Sequence, residues 1–217
     1  MKKIATLIMG LAAVLALTAC NSKGTEVKAE EFKEKAAAVE EHQYSEVTIK
    51  WSSKGKSTMP DMEKLIMSGE VEMKTEEDSI EGEAKFTFSN GQWTTDSKAE
   101  GVNEFAEMVG LTLKDANFDA SEMSEEYEQM AEQYGIDAKV KYYTNPLGCE
   151  VSAKGSYEDA EKGSGKVNIY SYVGFDKYGY ITKYEAKVDI SGTVKVSEKV
   201  SYSSSMVITE NITLSYK

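Results

Sequence analysis

The most reactive side chains in this sequence are those of Cys20, Cys149 and the single histidine, His42. Nucleophilic catalysis needs a serine or cysteine beside a base that a third group orients. His42 lies at the end of the first predicted helix, where a cation stabilises the helix C-terminus. The chain also lacks a Gly-x-Ser-x-Gly motif and a phosphate-binding glycine loop. We therefore predict no catalytic residues and no enzymatic activity.

Carboxylates are concentrated between Lys114 and Lys139, where eight acidic residues follow one another without a lysine. A dedicated calcium loop alternates its acids, includes a glycine and ends on a glutamate, and that spacing is missing. A solvated helix face is the simplest interpretation, and a basic partner or a weak cation site is the alternative. We expect no metal and no cofactor.

The N-terminus places Cys20 directly after an export signal. Lys2 and Lys3 precede an uncharged run over residues 4–17, which is shorter than the roughly twenty residues that span a membrane. Leu17-Thr18-Ala19-Cys20 then follows, and the segment resembles the lipobox signals of bacterial lipoproteins. The resemblance implies cleavage before Cys20, lipid on its thiol and residence at the outer face of the bacterial membrane.

Three segments follow from this signal. We expect a signal peptide at 1–19, a lipidated cysteine with a short tether at 20–24, and one domain at 25–217, a length that suits a single hydrophobic core. Lipid on Cys20 would leave Cys149 without a disulfide partner, so Cys149 is predicted to be a buried thiol.

The charge of the chain argues against nucleic acid as a partner. The chain has 37 acidic and 25 basic residues and a formal net charge of −12, and loss of Lys2 and Lys3 would make that charge −14. All basic residues are lysines, so the bidentate arginine contacts that grip phosphate are missing. We predict no nucleic-acid binding, because phosphate contacts require clustered positive charge. Membrane residence would depend on the acyl chains.

Hydrophobic periodicity predicts an α+β domain. Apolar positions three and four apart indicate a helix over 27–41, and alternation indicates strands at 47–51, 65–73 and 80–88, with a hairpin turn at Ser89-Asn90-Gly91-Gln92. Helical spacing returns at 102–109 and 121–134. Strands then resume at 140–142, 149–153 and 167–175, a turn follows at 176–179, and alternation continues to Tyr216. The last turn fits either Ser191-Gly192 or Ser203-Ser204-Ser205.

This order of elements, with the string Phe175-Asp-Lys-Tyr-Gly-Tyr-Ile-Thr-Lys183, resembles the LolA/LolB and LppX/LprG lipoprotein families. The resemblance implies a curved antiparallel half-barrel with an N-terminal helix and a two-helix insert packed on one face. It also implies an apolar cavity for acyl chains between sheet and helices. The predicted ligand-binding residues lie on the apolar faces and are Met67, Met73, Phe86, Phe88, Phe105, Val109, Met123, Tyr127 and Met130.

Two functions compete at this point. The first is a non-catalytic envelope lipoprotein that binds or carries an acyl chain or another hydrophobic ligand, for which adaptable methionines are suited. The second is an interaction module for a protein or glycan of the cell surface. It would use an exposed sheet face rich in tyrosine, with Tyr170, Tyr172, Tyr178 and Tyr180.

Replacing the lipidated residue tests the anchor. We expect Cys20→Ser to shift the protein from the detergent phase to the aqueous phase on Triton X-114 partitioning, because the acyl chains are the predicted membrane contact. Cys149→Ser is the matched control and should stay in the detergent phase. Continued membrane retention of Cys20→Ser would contradict the lipoprotein assignment.

Overall fold

The computed structural model of the protein describes residues 24–114, 136–159, 163–197 and 200–217. Nine strands in these residues form one open, curved sheet in the order β1-β5-β6-β7-β8-β9-β2-β3-β4, and neighbouring strands are antiparallel. The predicted curved antiparallel sheet is therefore confirmed. The strands are β1 (Thr25–Val27), β2 (Glu46–Pro60), β3 (Met73–Ser89), β4 (Gln92–Thr94), β5 (Ile136–Thr144), β6 (Gly148–Asp159), β7 (Gly163–Phe175), β8 (Ile181–Ser197) and β9 (Val200–Tyr216).

Local chemistry explains the two turns that the sequence predicted. Asn90 and Gly91 adopt positive φ angles of 53° and 80°, which match the right-handed twist of the β3–β4 hairpin. In the second turn, one carboxylate oxygen of Asp176 accepts hydrogen bonds from the backbone N–H groups of Tyr178 and Tyr180. Both predicted turns are confirmed.

Strand register aligns the side chains of each face into rows. Because successive residues of a strand point to opposite faces, residues that pair directly share a face. One row crosses six strands and is at most 5% exposed. We call the face that carries it the inner face and the opposite one the outer face. The row consists of Tyr142, Cys149, Val173, Tyr184, Ile212 and Trp51.

Helices cover one half of the inner face. In α1 (Ala29–Ala37) the fully buried Phe32 packs on Tyr142 with ring centroids 5.2 Å apart. In α3 (Val102–Ala106) Phe105 packs on Trp51 at 5.6 Å. We call this the covered half. Its side chains form one core, to which Phe105 and the sheet residues beneath it belong.

Two predicted elements differ from the structure. The helix predicted over 27–41 is shorter, since Thr25–Val27 forms β1 and the helix ends at Ala37. The strand predicted over 65–73 is wrong except at Met73, because Met62–Ser68 forms helix α2 and residues 69–72 are neither helix nor strand. The side chain of Asp61 caps α2 by accepting from the backbone N–H groups of residues 63 and 64, and Gly69 ends it at φ 74°.

The remaining expectations concern the second half of the chain. The helix predicted over 121–134 lies outside the described residues, and the one predicted over 102–109 is present as the short α3 followed by turns. Neither candidate for the last turn is correct, because both lie inside paired strands: Ser191 pairs with Ser205 and Gly192 with Ser204. The last strand pair instead extends to Ser197 and Val200.

Packing under Trp51 gives a test of the core. A Cβ atom at Gly82 would lie 2.2 Å from an indole carbon of Trp51, whereas a Cβ at Gly55 meets nothing within 4 Å. We expect Gly82→Ala to lower the free energy of unfolding by about 1–3 kcal/mol through overpacking. Gly55→Ala should be neutral or stabilising by up to about 1 kcal/mol. Urea unfolding measures both, and equal effects would contradict this packing.

Candidate functional site

The inner face continues beyond the covered half as an apolar surface that stays partly exposed. Its side chains come from β7, β8 and β9 and form two adjacent rows, in which Ile169 pairs with Val188 and Val188 with Ile208. Five of the six are half-buried, and Ile190 is 38% exposed. We call this surface the inner strip. It consists of Ile169, Val188, Ile208, Val167, Ile190 and Met206.

The inner strip differs from the core in solvent contact. The apolar residues of the core are at most 8% exposed, while those of the strip remain in contact with solvent. Removing apolar surface from water is favourable by about 25 cal/mol per Å², so binding of an apolar partner to the strip would be favourable. Contiguous exposed apolar surfaces commonly mark binding sites.

A carboxyl group stands at the boundary between the core and the inner strip. Glu210 follows Ile208 of the strip and precedes Ile212 of the core on the same face of β9. It is 8% exposed and makes no hydrogen bond or ion pair with the described residues. Burial raises the pKa of this carboxyl above its ordinary value of 4.5.

The groups nearest Glu210 are neutral. Ser53 of β2 and Ala186 of β8 pair directly with it. Tyr184 lies diagonally across, opposite Ile212, and its pKa is raised by burial and additionally by the charge of Glu210. The carboxyl is therefore held in an apolar and hydroxyl-lined environment with no basic partner among these groups.

Charge is segregated between the two faces of the sheet. Of the lysines in the described strands, Lys74 alone lies on the inner face, and its ammonium group is 2.6 Å from Glu76. Glu76, Asp78 and Glu210 are acidic residues on the inner face of the described part of the sheet. The lysines on the outer face are Lys50, Lys54, Lys56, Lys85, Lys139, Lys141, Lys154, Lys166, Lys183, Lys187 and Lys195.

The outer face contains a concavity of about 1180 Å³ at the end of the sheet distant from the covered half. Small hydroxyl side chains from five strands line most of it, together with Glu158, Lys166 and the edge residues Val71 and Met73. We call it the hydroxyl groove. Its hydroxyl residues on the outer face are Thr58, Ser156, Ser164, Ser191, Thr193, Ser201, Ser203 and Ser205.

The predicted ligand-binding residues do not form one group. Phe86, Phe105 and Val109 are buried in the core, and Phe88 packs edge-on against Trp93 at 5.2 Å.

Met67 lies on α2 with 81% of its surface exposed. Met73 is 41% exposed and lines the hydroxyl groove. The prediction that both residues lie on one strand is wrong, because Met67 belongs to α2 and Met73 begins β3. Met123, Tyr127 and Met130 lie outside the described residues.

The exposed tyrosine face expected for an interaction module is not present in that form. Tyr172 and Tyr180 are 5% and 6% exposed, since Tyr172 packs with Tyr143 and Tyr180 donates a hydrogen bond to the backbone oxygen of His42. Tyr178 stacks on the imidazole of His42, with ring centroids 4.1 Å apart. Tyr170 is 36% exposed.

The structure also locates the remaining reactive side chains. His42 lies beyond the end of α1 rather than in its last turn, so the predicted helix C-terminal role is wrong. Cys149 is fully buried, as predicted, and burial raises the pKa of its thiol. Within the ranges that the structure describes, no three metal-ligating side chains are grouped closely enough to hold an ion.

Glu210 was missed by sequence reasoning although a signal was present. It occupies an even-numbered position in the apolar series Met206, Ile208, Ile212 and Leu214. A charged residue at a position whose neighbours on the same face are apolar indicates either a bulge or a buried polar group. The uninterrupted register here shows the second.

Comparison with known proteins gives little. No family model matches the chain, and no curated protein matches it. Among solved structures, a proposed modulator of DNA gyrase from Bacteroides thetaiotaomicron is similar over 84% of this chain and 44% of its own length, with 11% identity and a TM-score of 0.23. This chain thus spans less than half the length of that protein, and so low a TM-score supports no argument. No helix in the described part of the chain is long and apolar enough to cross a membrane.

The burial of Glu210 predicts how stability depends on pH. Its raised pKa means that the folded state disfavours the carboxylate, so the destabilisation is largest at pH values above the folded pKa and vanishes near pH 4. We expect Glu210→Gln to be more stable than the native protein at pH 8 and equally stable near pH 4, as measured by thermal unfolding.

The control for this experiment is Glu83→Gln. Glu83 is exposed on the outer face and forms a surface ion pair with Lys50 at 3.0 Å. The substitution should therefore change the free energy of unfolding by no more than about 1 kcal/mol at either pH. A Glu210→Gln protein that is less stable at pH 8 would show that the carboxylate has a stabilising partner.

Proposed function

We propose that this protein is a non-catalytic lipoprotein of the cell envelope that binds an acyl chain on the inner strip. The observation that carries the proposal is the continuation of the inner face beyond the covered half as a solvent-contacting apolar surface. A folded domain ordinarily buries such a surface against its own helices. An apolar ligand would bury it in the same way.

The dimensions of the inner strip suit a short segment of hydrocarbon chain. Its three strands cover about 10 Å in the hydrogen-bonding direction, and its two rows lie about 7 Å apart along the strands. Branched side chains and Met206 form the surface without a charged group between them. Such a surface suits a chain of methylene groups better than a flat or polar ligand.

The proposed location adds a source of ligand. The lipobox at residues 17–20 and a tether that reaches roughly 17 Å from Cys20 to Thr25 would keep the domain beside a bilayer. In this proposal the anchored protein meets membrane lipids at high local concentration. A modest affinity of the strip for an acyl chain would then be enough for binding.

A second candidate is favoured by the hydroxyl groove. Serine and threonine hydroxyls both donate and accept hydrogen bonds, which suits a polyhydroxylated ligand such as a glycan. The groove replaces the tyrosine face as the basis of this alternative, because Tyr172 and Tyr180 are buried.

Filling the inner strip tests the leading proposal. We expect native mass spectrometry of the gently purified protein to show bound lipid, and a neutral fluorescent fatty alcohol to bind the Cys20→Ser chain. Ile208→Trp should weaken that binding at least about tenfold, because the indole would occupy the strip.

Thr209→Trp, on the outer face of the same strand, is the matched control and should bind normally. If the protein carries no bound lipid and takes up no probe, the proposal is refuted. Retention on wall glycan that Ser205→Trp abolishes would then favour the second candidate.

A further inference from the structure

The inner strip ends on an acidic group, Glu210, with which no described residue forms a hydrogen bond or an ion pair. Glu210 is 8% exposed, its carboxylate oxygens are not closed off from solvent, and it adjoins Ile208 of the strip on the same face of the sheet. Burying a carboxyl in this way is unfavourable unless something binds it.

We infer that the apolar ligand of the inner strip carries a protonated amine, and that the carboxylate of Glu210 binds this amine. The inference rests on the proposed function, since it names the head group of the ligand that the strip would hold. The ammonium group would lie beside Glu210, and the hydrocarbon part would extend along Ile208 and Val188.

The charges of the inner face select an amine over a carboxylate. Asp78 and Glu76 lie on the β3 side of the same two rows that form the strip, aligned with Gly55 and Ser57. Lys74 pairs with Glu76 and is the single inner-face lysine of the described strands. A fatty-acid carboxylate would therefore approach carboxylates of like charge, whereas an ammonium group would be attracted by them.

Neighbouring hydroxyls complete a site for an ammonium group. Ser53 pairs directly with Glu210, and the phenol of Tyr184 lies diagonally across on β8. An ammonium group has three donors. The carboxylate would accept one, and the register places Ser53 and Tyr184 on the same face as further acceptors. The ligand would then supply the counter-charge that the fold omits.

Three probes of equal chain length test the head group. Dodecylamine, dodecanol and dodecanoate, each below its critical micelle concentration at pH 7.5, compete with the neutral fluorescent fatty alcohol on the Cys20→Ser chain. We expect dodecylamine to bind at least about tenfold more tightly than dodecanol, as a charge-assisted hydrogen bond allows. Dodecanoate should bind more weakly than dodecanol.

Substitution identifies the residue responsible. Glu210→Gln should remove the advantage of dodecylamine over dodecanol. Glu185→Gln is the matched control, because Glu185 lies on the outer face and Lys183 pairs with it at 3.0 Å. It should keep the full preference.

A chemical readout does not depend on the folding of any variant. Carbodiimide coupling of dodecylamine to the Cys20→Ser chain should form an amide at Glu210, located by peptide mass spectrometry, and excess dodecanol should suppress it. Exposed carboxylates such as Glu83 should react regardless of dodecanol.

The outcomes separate the two proposals. The acyl-binding function stands if dodecanol binds and Ile208→Trp blocks that binding. The amine inference is wrong if dodecylamine then binds no more tightly than dodecanol, or if it still binds more tightly in Glu210→Gln. If none of the three probes binds, the proposed function itself fails.

Discussion

The structure depends on a single geometric constraint, the alternation of side chains along strands that stay in register over long distances. β3, β8 and β9 each contain 17 residues, and β2 pairs with β9 without a register shift over twelve consecutive residue pairs. One displacement by a single residue would move every apolar side chain of a strand to the outer face. The separation of lysines from apolar residues is the direct result of this constraint.

The same constraint explains why the inner face has two parts. The covered half is closed by Phe32 and Phe105, which come from short helices and pack on aromatic side chains of the sheet. Past Glu210 the strands continue with the same alternation of Ile, Val and Met. The sheet is thus longer than the described helices that cover it, and the proposed site occupies the difference.

How far the sequence predicts this structure depends on the range of the interactions involved. The Asn90-Gly91 and Asp176–Gly179 turns were predicted because their conformations follow from adjacent residues. Helix α2 was missed because Leu65, Met67 and Gly69 fit a strand alternation, whereas the cap at Asp61 favours a helix. The pairing of β9 with β2 joins residues 147 to 169 positions apart, and no local pattern specifies it.

The candidate site was harder to predict than the fold for a related reason. Periodicity identifies which positions face inward but not which of them remain uncovered. Phe86 and Val109 were therefore indistinguishable in sequence from Ile208 and Val188, although the first pair lies in the core and the second in the inner strip. Glu210 becomes informative only when its lack of a partner is visible.

The attachment point of the chain has a consequence for how a ligand would reach the strip. Thr25 pairs with Thr144, at the end of β5 beside the covered half, so the tether leaves the sheet there. Ala138, in line with the first row of the inner strip, lies about 20 Å farther along β5. With the acyl anchor proposed at Cys20, the strip would stand away from the bilayer surface. A ligand would then have to move out of the membrane along the sheet before the strip holds it.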